Sequence, residues 1–279
     1  MRKALFFLLL SSLTVGALAQ TPKWKVWEAE GDTLLDRQDF EGAIARYTKV
    51  IKTTKLKDRE AFGCVYKRAV AYYSIGNFEN ALADLEIFVP AYPQVPQAKL
   101  LRALVYKGLG DTEKQLQDLN EALAYQQDNP GLLKWRASLY LDIGEYALAR
   151  NDAEQARQLQ DDAEVELYLG FAWYYLDQPE EAIACINKAI ELDATYLPAY
   201  LYGGTFSLEQ EQFDKALQYL NLALRLDPKN LTATMYKGIA LVELEKTEEG
   251  CRCLRKAYYA GEDAAGDYLK EYCYGIEDR

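Results

Sequence analysis

The stretch "EQFDKALQYLNLALRLDPKN", residues 211–230, has the apolar spacing of an amphipathic helix that ends at Asp227-Pro228. Variants of it occur at residues 39–51, "DFEGAIARYTKVI", and at residues 77–89, "NFENALADLEIFV". A pattern that returns at regular intervals indicates a chain built from repeated units that stack on one another.

The alanine of "DKAL", Ala216, sets the register of the repeat. Its equivalents are Ala43, Ala81, Gln115, Ala149, Ala182 and Gly250, with successive spacings of 38, 34, 34, 33, 34 and 34 residues along the chain. Twelve residues before each position lies Gly or Ala: Gly31, Ala69, Ala103, Ala137, Gly170, Gly204 and Gly238. Apolar residues four and seven positions after it complete one buried helical stripe. Each unit is therefore predicted to contain two helices whose backbones approach closely at the small residues.

A 34-residue helix–turn–helix unit with Leu-Gly, an aromatic residue, Ala and then Pro resembles the tetratricopeptide repeat, as in "LGFAWYYLDQPEEAIACINKAIELD", residues 169–193. The resemblance implies an all-α fold, a right-handed α-solenoid of about seven repeats with a C-terminal capping helix. The repeats are expected at about 24–57, 62–95, 96–129, 130–163, 163–196, 197–230 and 231–264, within an array spanning residues 20–264, and the cap and tail at 265–279. The four extra residues between the first two repeats coincide with "KTTKLKDR", residues 52–59, which is expected to lengthen a helix or a loop.

The first 19 residues have the features of a cleaved signal peptide. Arg2 and Lys3 precede an apolar stretch, and Ala17-Leu18-Ala19 offers small residues at the cleavage site. We therefore expect an exported protein, periplasmic in a bacterium or secreted, that is soluble after cleavage. A retained signal anchor is the alternative. The first cysteine is Cys64, so a lipoprotein is not expected.

The charge balance and the missing residue types narrow the classes of function. A net charge of −11 disfavours binding to nucleic acid or anionic lipid. The interval from Asp142 to Asp193 holds 13 acidic and three basic residues, which is either a patch for a basic partner or a solvated face. The chain contains no histidine, and no Gly-rich phosphate loop is present. We expect no enzyme activity, no catalytic residues, no cofactor and no metal site.

The cysteines predict one disulfide bond. Cys64 and Cys185 lie three repeats apart and are expected to be packed as small apolar residues. Cys251 falls on the inward face of the last repeat, whereas Cys253 should point further outward. A Cys251–Cys273 disulfide would fix the cap, and an exported protein permits it. Reduced, buried thiols are the alternative.

The resemblance implies that the first helix of each repeat lines a concave groove. Counting along these helices places Glu28, Asp32, Ser138 and Leu141 among the groove-facing positions. The expected partner-binding residues are Tyr66, Val70, Tyr73, Leu104, Lys107, Lys134, Phe171, Tyr174, Leu201, Thr205 and Met235. Only Lys107 and Lys134 add positive charge and no Asn occurs at the groove positions, so a clamp for a C-terminal carboxylate is disfavoured. Tyr72, Tyr106 and Tyr140 are expected in the core instead. The groove is predicted to be apolar and aromatic, suited to an extended or helical segment of another protein.

The leading hypothesis is a non-catalytic protein–protein interaction scaffold. Two alternatives stay open at this point. The protein could bind peptides or a glycan such as peptidoglycan in the cell envelope, with Trp135 as a platform for a sugar ring. It could also be an architectural protein that associates with itself through its ends, although a C-terminal cap argues against that.

Overall fold

The computed structural model describes residues 21–57 and 59–273. These residues form fifteen α-helices and one short 3₁₀ helix, and no strand occurs among them. The all-α helical-repeat fold predicted from the sequence is therefore confirmed. The predicted signal peptide and the tail beyond Cys273 lie outside the described residues.

The chain divides into two compact units, the first ending at Asp111. Its helices are α1 (Lys23–Asp36), α2 (Phe40–Thr54), α3 (Gly63–Ser74), α4 (Phe78–Ala91) and α5 (Pro96–Leu109). Each helix packs against the next one in the chain. The extra residues of the first connection form a loop: Lys55 and Leu56 adopt left-handed backbone with φ of 50° and 56°, and the 3₁₀ helix Glu60–Phe62 leads into α3.

The second unit begins at Thr112. Its helices are α6 (Thr112–Tyr125), α7 (Pro130–Asp142), α8 (Tyr146–Leu159), α9 (Ala163–Tyr175), α10 (Pro179–Leu192), α11 (Leu197–Glu209), α12 (Phe213–Leu226), α13 (Leu231–Glu243), α14 (Thr247–Tyr259) and α15 (Ala265–Tyr272). Consecutive helices pack together, and α7, α9, α11 and α13 also contact one another in turn. The first helices of four successive repeats thus form one continuous face of this unit.

The repeat positions found in the sequence form the buried seam between paired helices. Ala216 and its six equivalents are buried, as are the small residues twelve positions before them and the residues four and seven positions after them. A β-carbon at Gly204 would lie 2.7 Å from Cγ of Leu220, and one at Gly238 would lie 2.8 Å from Cγ of Leu254. The small residue is needed because the side chain sixteen positions later fills the space beside it.

The glycine that replaces alanine in the last repeat has a steric cause. A β-carbon at Gly250 would lie 2.7 Å from the carbonyl oxygen of Gly238, so α13 and α14 are too close together to admit alanine. In the third repeat, Gln115 takes the alanine position and is also buried.

A buried ion pair joins the two helices of a repeat in each unit. Arg68 donates from Nε and Nη2 to the two carboxylate oxygens of Asp84 at 2.8 and 2.7 Å. Arg136 binds Asp152 in the same way at 2.6 and 2.7 Å. Hydrogen bonding to the carboxylate raises the pKa of both arginines, against the opposing effect of burial. Both pairs have the same sixteen-residue separation as the buried seam.

The last helix, α15, covers the end of the second unit. Cys251 in α14 and Cys273 form a disulfide bond with Cα atoms 5.7 Å apart. The bond joins an apolar cluster that includes Leu254 and Ala265. Cys253 is a half-buried free thiol, so the disulfide uses the inward-facing cysteine of the pair.

The remaining two cysteines are buried free thiols. Burial raises the pKa of both Cys64 and Cys185 to about 12. They are therefore protonated at neutral pH and are packed as small apolar side chains.

Candidate partner-binding groove

The predicted groove residues divide between the two units. The first unit holds Tyr66, Val70, Tyr73, Leu104 and Lys107. The second holds Lys134, Phe171, Tyr174, Leu201, Thr205 and Met235.

In the first unit, the predicted tyrosines pack partly against the core. The Tyr66 ring lies 5.2 Å from that of Phe88, and the Tyr73 ring lies 5.9 Å from that of Phe78. Both tyrosines are half-buried, as is Val70 beside them. Burial also raises the pKa of Tyr66. These rings contribute mainly to packing and present only part of their surface to solvent.

A lysine of α3 pairs with two carboxylates of α1 in the first unit. Lys67 in α3 donates to Glu28 at 3.0 Å and to Asp32 at 2.8 Å, both carboxylates being in α1. Lys107 is exposed near the end of α5, and Leu104 one turn earlier is half-buried. Two acidic groove positions are thus paired with a lysine of the next repeat.

The second unit contains an aromatic pocket, defined here by eight residues that enclose about 340 Å³. It opens on the face formed by the first helices. The lining residues come from the end of α7, the start of α8, and from α9 and α11: Ser138, Leu141, Asp142, Tyr146, Tyr168, Phe171, Tyr175 and Tyr202. Five of the eight side chains are aromatic, and none is basic.

The aromatic rings of the pocket contact each other directly. Tyr146 and Tyr175 stack with centroids 4.6 Å apart, and the edge of Phe171 meets Tyr202 at 4.4 Å. Behind them, Tyr174 stacks on Phe206 at 4.0 Å. Although the rings support one another, Tyr175 is 53% exposed and Tyr202 is 37% exposed. The pocket therefore offers rigid aromatic surface to a ligand at little cost in side-chain entropy.

Carboxylates surround the aromatic pocket. The Tyr174 hydroxyl donates a short hydrogen bond to Glu209, and the Tyr168 hydroxyl donates to Glu164 at 2.9 Å. Burial raises the pKa of Tyr174 to about 12, with the hydrogen bond to Glu209 acting in the same direction. Burial and the Glu164 carboxylate raise the pKa of Tyr168 as well. The hydroxyl groups of Tyr168 and Tyr174 therefore stay neutral, and the charged residue that lines the pocket itself, Asp142, is acidic.

Lys134 is held by the protein itself. Its ammonium group lies 2.9 Å from Asp162 and 2.8 Å from Glu164, and these ion pairs raise its pKa although burial acts against them. The resulting link joins α7 to the start of α9. As a predicted partner contact, Lys134 would have to exchange these carboxylates for those of a ligand.

The remaining predicted positions of the second unit differ in accessibility. Leu201 is half-buried, and the half-buried Thr205 donates its hydroxyl hydrogen to the carbonyl oxygen of Tyr202 at 3.1 Å. Met235 is only 4% exposed and packs in the cluster beneath the cap with Cys251. Met235 is therefore part of the core, because α15 and the disulfide cover the end of α13.

Counting along the repeats placed Ser138, Leu141 and Phe171 on the groove but missed Asp142 and the four tyrosines that line the pocket. A signal was present, because the residue two positions before the small residue of the first helix is aromatic in four successive repeats: Trp135, Tyr168, Tyr202 and Tyr236. That recurrence would have found two of the lining tyrosines. Tyr146 and Tyr175 lie at helix ends, where the repeat pattern makes no prediction.

The described part of the chain offers neither a metal-binding cluster nor a membrane-spanning helix. Residues 21–57 and 59–273 contain no group of His, Cys, Asp and Glu side chains arranged to hold a metal ion. Within the same residues, no helix has both the length and the apolar composition needed to cross a membrane.

Comparisons with known proteins agree with the geometry. Solved structures that resemble the chain include a tetratricopeptide repeat protein from Parabacteroides merdae, with a TM-score of 0.68, 15% identity, and coverage of 88% of this chain and 97% of that one. The C-terminal part of a TPR repeat-containing protein from Cytophaga hutchinsonii gives a TM-score of 0.68 and 17% identity, covering 88% and 99%. YrrB, described as "a TPR protein with an unusual peptide-binding site", gives a TM-score of 0.52 and 18% identity, with coverage of 67% of this chain and 97% of that one. No curated protein sequence matches the chain.

Family models identify the repeats directly. A model described as tetratricopeptide repeat matches residues 66–131 and 207–272, and a second model with the same description matches residues 169–196. Together the matched segments cover more than half of the 279 residues. The chain belongs to the tetratricopeptide repeat family.

Proposed function

We propose that this protein is an exported, non-catalytic scaffold that binds a segment of another protein in the aromatic pocket of its second unit. The observation that carries the proposal is the set of partly exposed rings on the face formed by α7, α9 and α11. Such rings combine large apolar area with few rotatable bonds, which is typical of binding hot spots. Proteins of this family generally bind protein or peptide partners without catalysis.

Further support comes from a relative and from the sequence. YrrB is described as having a peptide-binding site. The absence of histidine from this chain removes the commonest general base and agrees with a binding role. Phe171, Tyr174, Leu201 and Thr205 remain the proposed contacts of the second unit beside the newly found tyrosines. Tyr66, Val70, Tyr73, Leu104 and Lys107 are proposed as secondary contacts in the first unit.

Export is part of the proposal. The signal-peptide pattern of residues 1–19 and the Cys251–Cys273 disulfide both favour an oxidising compartment outside the cytoplasm. Amino-terminal sequencing of the protein purified from its host tests this directly. A mature protein that begins at Gln20 supports export with cleavage of the signal peptide. A mature protein that begins at Met1 contradicts that cleavage.

The binding proposal is tested by affinity capture with a C-terminally tagged full chain expressed in its host. Three versions are compared: wild type, Tyr175→Ala/Tyr202→Ala, and a matched control, Tyr125→Ala/Tyr259→Ala. The control removes two tyrosines that are 55% and 80% exposed and lie outside the pocket. Circular dichroism first establishes that all three are equally helical.

We expect the wild type and the control to capture the same protein in similar amounts. The pocket variant should capture at least tenfold less of it, since two hot-spot rings contribute about 2 kcal/mol or more to binding. Equal capture by all three versions would move the binding site away from the pocket. Retention of purified peptidoglycan in place of any protein would favour the glycan-binding alternative.

A further inference from the structure

The aromatic pocket has a chemical bias beyond its apolar surface. Its volume of about 340 Å³ lies at the lower end of the range of about 300–1,000 Å³ common for ligand pockets. That space suits one or two side chains of a polypeptide segment. The polar groups at the pocket are phenolic hydroxyls, Ser138 and the carboxylate of Asp142.

Asp142 is the charged group that lines the pocket. It is exposed at the last residue of α7 and makes no ion pair within the part of the chain that the structure describes. Unlike Glu164 and Glu209, which accept hydrogen bonds from Tyr168 and Tyr174, its charge is not engaged by a neighbouring side chain.

The helices that form the pocket supply no free positive charge. Helices α9 and α11 contain no lysine or arginine. The two basic residues of α7 are both engaged, Lys134 with Asp162 and Glu164, and Arg136 with Asp152.

Helix α8, which contributes Tyr146, carries Arg150 and Arg157, but these pair with Glu154 at 3.7 Å and Glu166 at 3.6 Å. No basic side chain is among the residues that line the pocket, so Asp142 has no cationic neighbour there.

We propose that the pocket binds an arginine or lysine side chain of the partner segment, with the tyrosine and phenylalanine rings contacting the cation and Asp142 as its counter-charge. This inference rests on the proposed scaffold function and names the chemistry of its ligand. Aromatic faces attract cations through the ring quadrupole, and a carboxylate beside them adds a hydrogen-bonded ion pair. An anionic segment would instead be repelled by the carboxylates of Asp142 and Glu209 and would find no cationic group in the pocket.

The occupant is a polypeptide segment because apolar surface continues beside the pocket. Leu201 precedes Tyr202 on α11 and is half-buried, as is Leu141, which lines the pocket at the end of α7. A chain that places its basic side chain in the pocket can cover these residues with its neighbouring apolar side chains. Charge complementarity then selects the segment, and apolar contact supplies area.

The test uses the full-length protein and a positional-scanning peptide library in which each position is fixed in turn. We expect the wild type to select arginine or lysine at one position. The best arginine peptide is then compared with its citrulline analogue, which keeps the shape and removes the charge. We expect the citrulline peptide to bind about tenfold more weakly, equivalent to about 1.4 kcal/mol.

Variants assign the preference to the pocket. Asp142→Asn is expected to reduce the arginine-to-citrulline ratio severalfold, whereas Glu181→Gln, the same charge change at an exposed site on α10, should leave the ratio unchanged. Tyr175→Leu should also lower the ratio, because it removes a ring face that contacts the cation. Circular dichroism of each variant establishes that it is folded.

The outcomes separate the two proposals. Peptide binding without preference for a basic residue, or a ratio that Asp142→Asn leaves intact, would overturn the cation site and leave the scaffold function standing. Selection of acidic residues would overturn it as well. Failure of the wild type to retain any peptide would contradict both the cation site and the scaffold function.

Discussion

Breaking the buried ion pair of the fourth repeat provides a quantitative test of the packing. Arg136 binds Asp152 through two hydrogen bonds of 2.6 and 2.7 Å, and its third nitrogen donates to Asn120 at 2.7 Å. The guanidinium also lies 5.8 Å from the centre of the Tyr140 ring. We predict that Asp152→Ala strongly lowers the free energy of unfolding, because it leaves the cation without its counter-charge.

The expected magnitude follows from burial. Removing one partner of a fully buried pair costs about 3–5 kcal/mol. The Arg136 side chain is 20% exposed and keeps Asn120, so partial hydration places the cost near the lower limit, at about 3 kcal/mol. Removing both charges with Arg136→Met/Asp152→Leu should cost less than about 1.5 kcal/mol, because no charge is then buried alone. Losing both charges should therefore destabilise the protein by at least about 1.5 kcal/mol less than losing Asp152 alone.

Urea unfolding measures these differences. Far-ultraviolet circular dichroism and tryptophan fluorescence are recorded together, since a repeat array can unfold in more than one step. The control is Glu191→Ala, which breaks the exposed pair with Lys188 and should change stability by less than about 0.5 kcal/mol. The reasoning is refuted if Asp152→Ala behaves like this control, or if the double variant is as unstable as Asp152→Ala alone.

Three further predictions concern the cap, a buried carboxyl group and the seam between helices. Replacing Cys251 and Cys273 by serine removes a crosslink between residues 22 positions apart, which should lower the free energy of unfolding by about 3 kcal/mol. Reductant should lower the melting temperature of the wild type but not that of the variant. Equal responses of the two proteins would contradict the prediction. Burial raises the pKa of Glu166, so its ionised form destabilises the folded state at neutral pH. Glu166→Gln should therefore be more stable than wild type at pH 7. The difference in stability should shrink as the pH falls through the raised pKa and Glu166 takes up its proton. A difference that does not vary with pH would exclude the buried charge as its cause. Gly238→Ala brings a β-carbon to 3.0 Å from a backbone carbonyl of α14 and should cost about 1–3 kcal/mol. Gly63→Ala, at a site with no atom within 4 Å, serves as its control and should not destabilise.

The sequence predicted the repeat fold because its signal is geometric and recurs seven times. The small residues, such as Gly204, and the side chains that pack on them, such as Leu220, keep a fixed separation that no single mutation conceals. The cap and the Cys251–Cys273 disulfide followed from where the repeat pattern ends. The spacing predicted paired helices in repeated units, and the resemblance to the tetratricopeptide repeat supplied the fold.

The site was less predictable because position in a repeat does not determine accessibility. Met235 occupies a groove position by counting, yet the cap buries it. Lys134 was expected to face a partner, and the structure shows it paired with Asp162 and Glu164 at the start of α9. Tyr146 and Tyr175 belong to different helices and meet only because α8 and α9 pack together, which requires the three-dimensional arrangement.

Site-specific photo-crosslinking in the host tests the central claim most directly. A photoreactive phenylalanine analogue is introduced in place of Tyr202, at the aromatic pocket, or in place of Tyr259, an exposed tyrosine outside it. If the second unit binds a protein segment in this pocket, light should join the Tyr202 version to one defined polypeptide and leave the Tyr259 version largely unmodified. Equal adducts from both positions, or adducts from Tyr259 alone, would contradict the account.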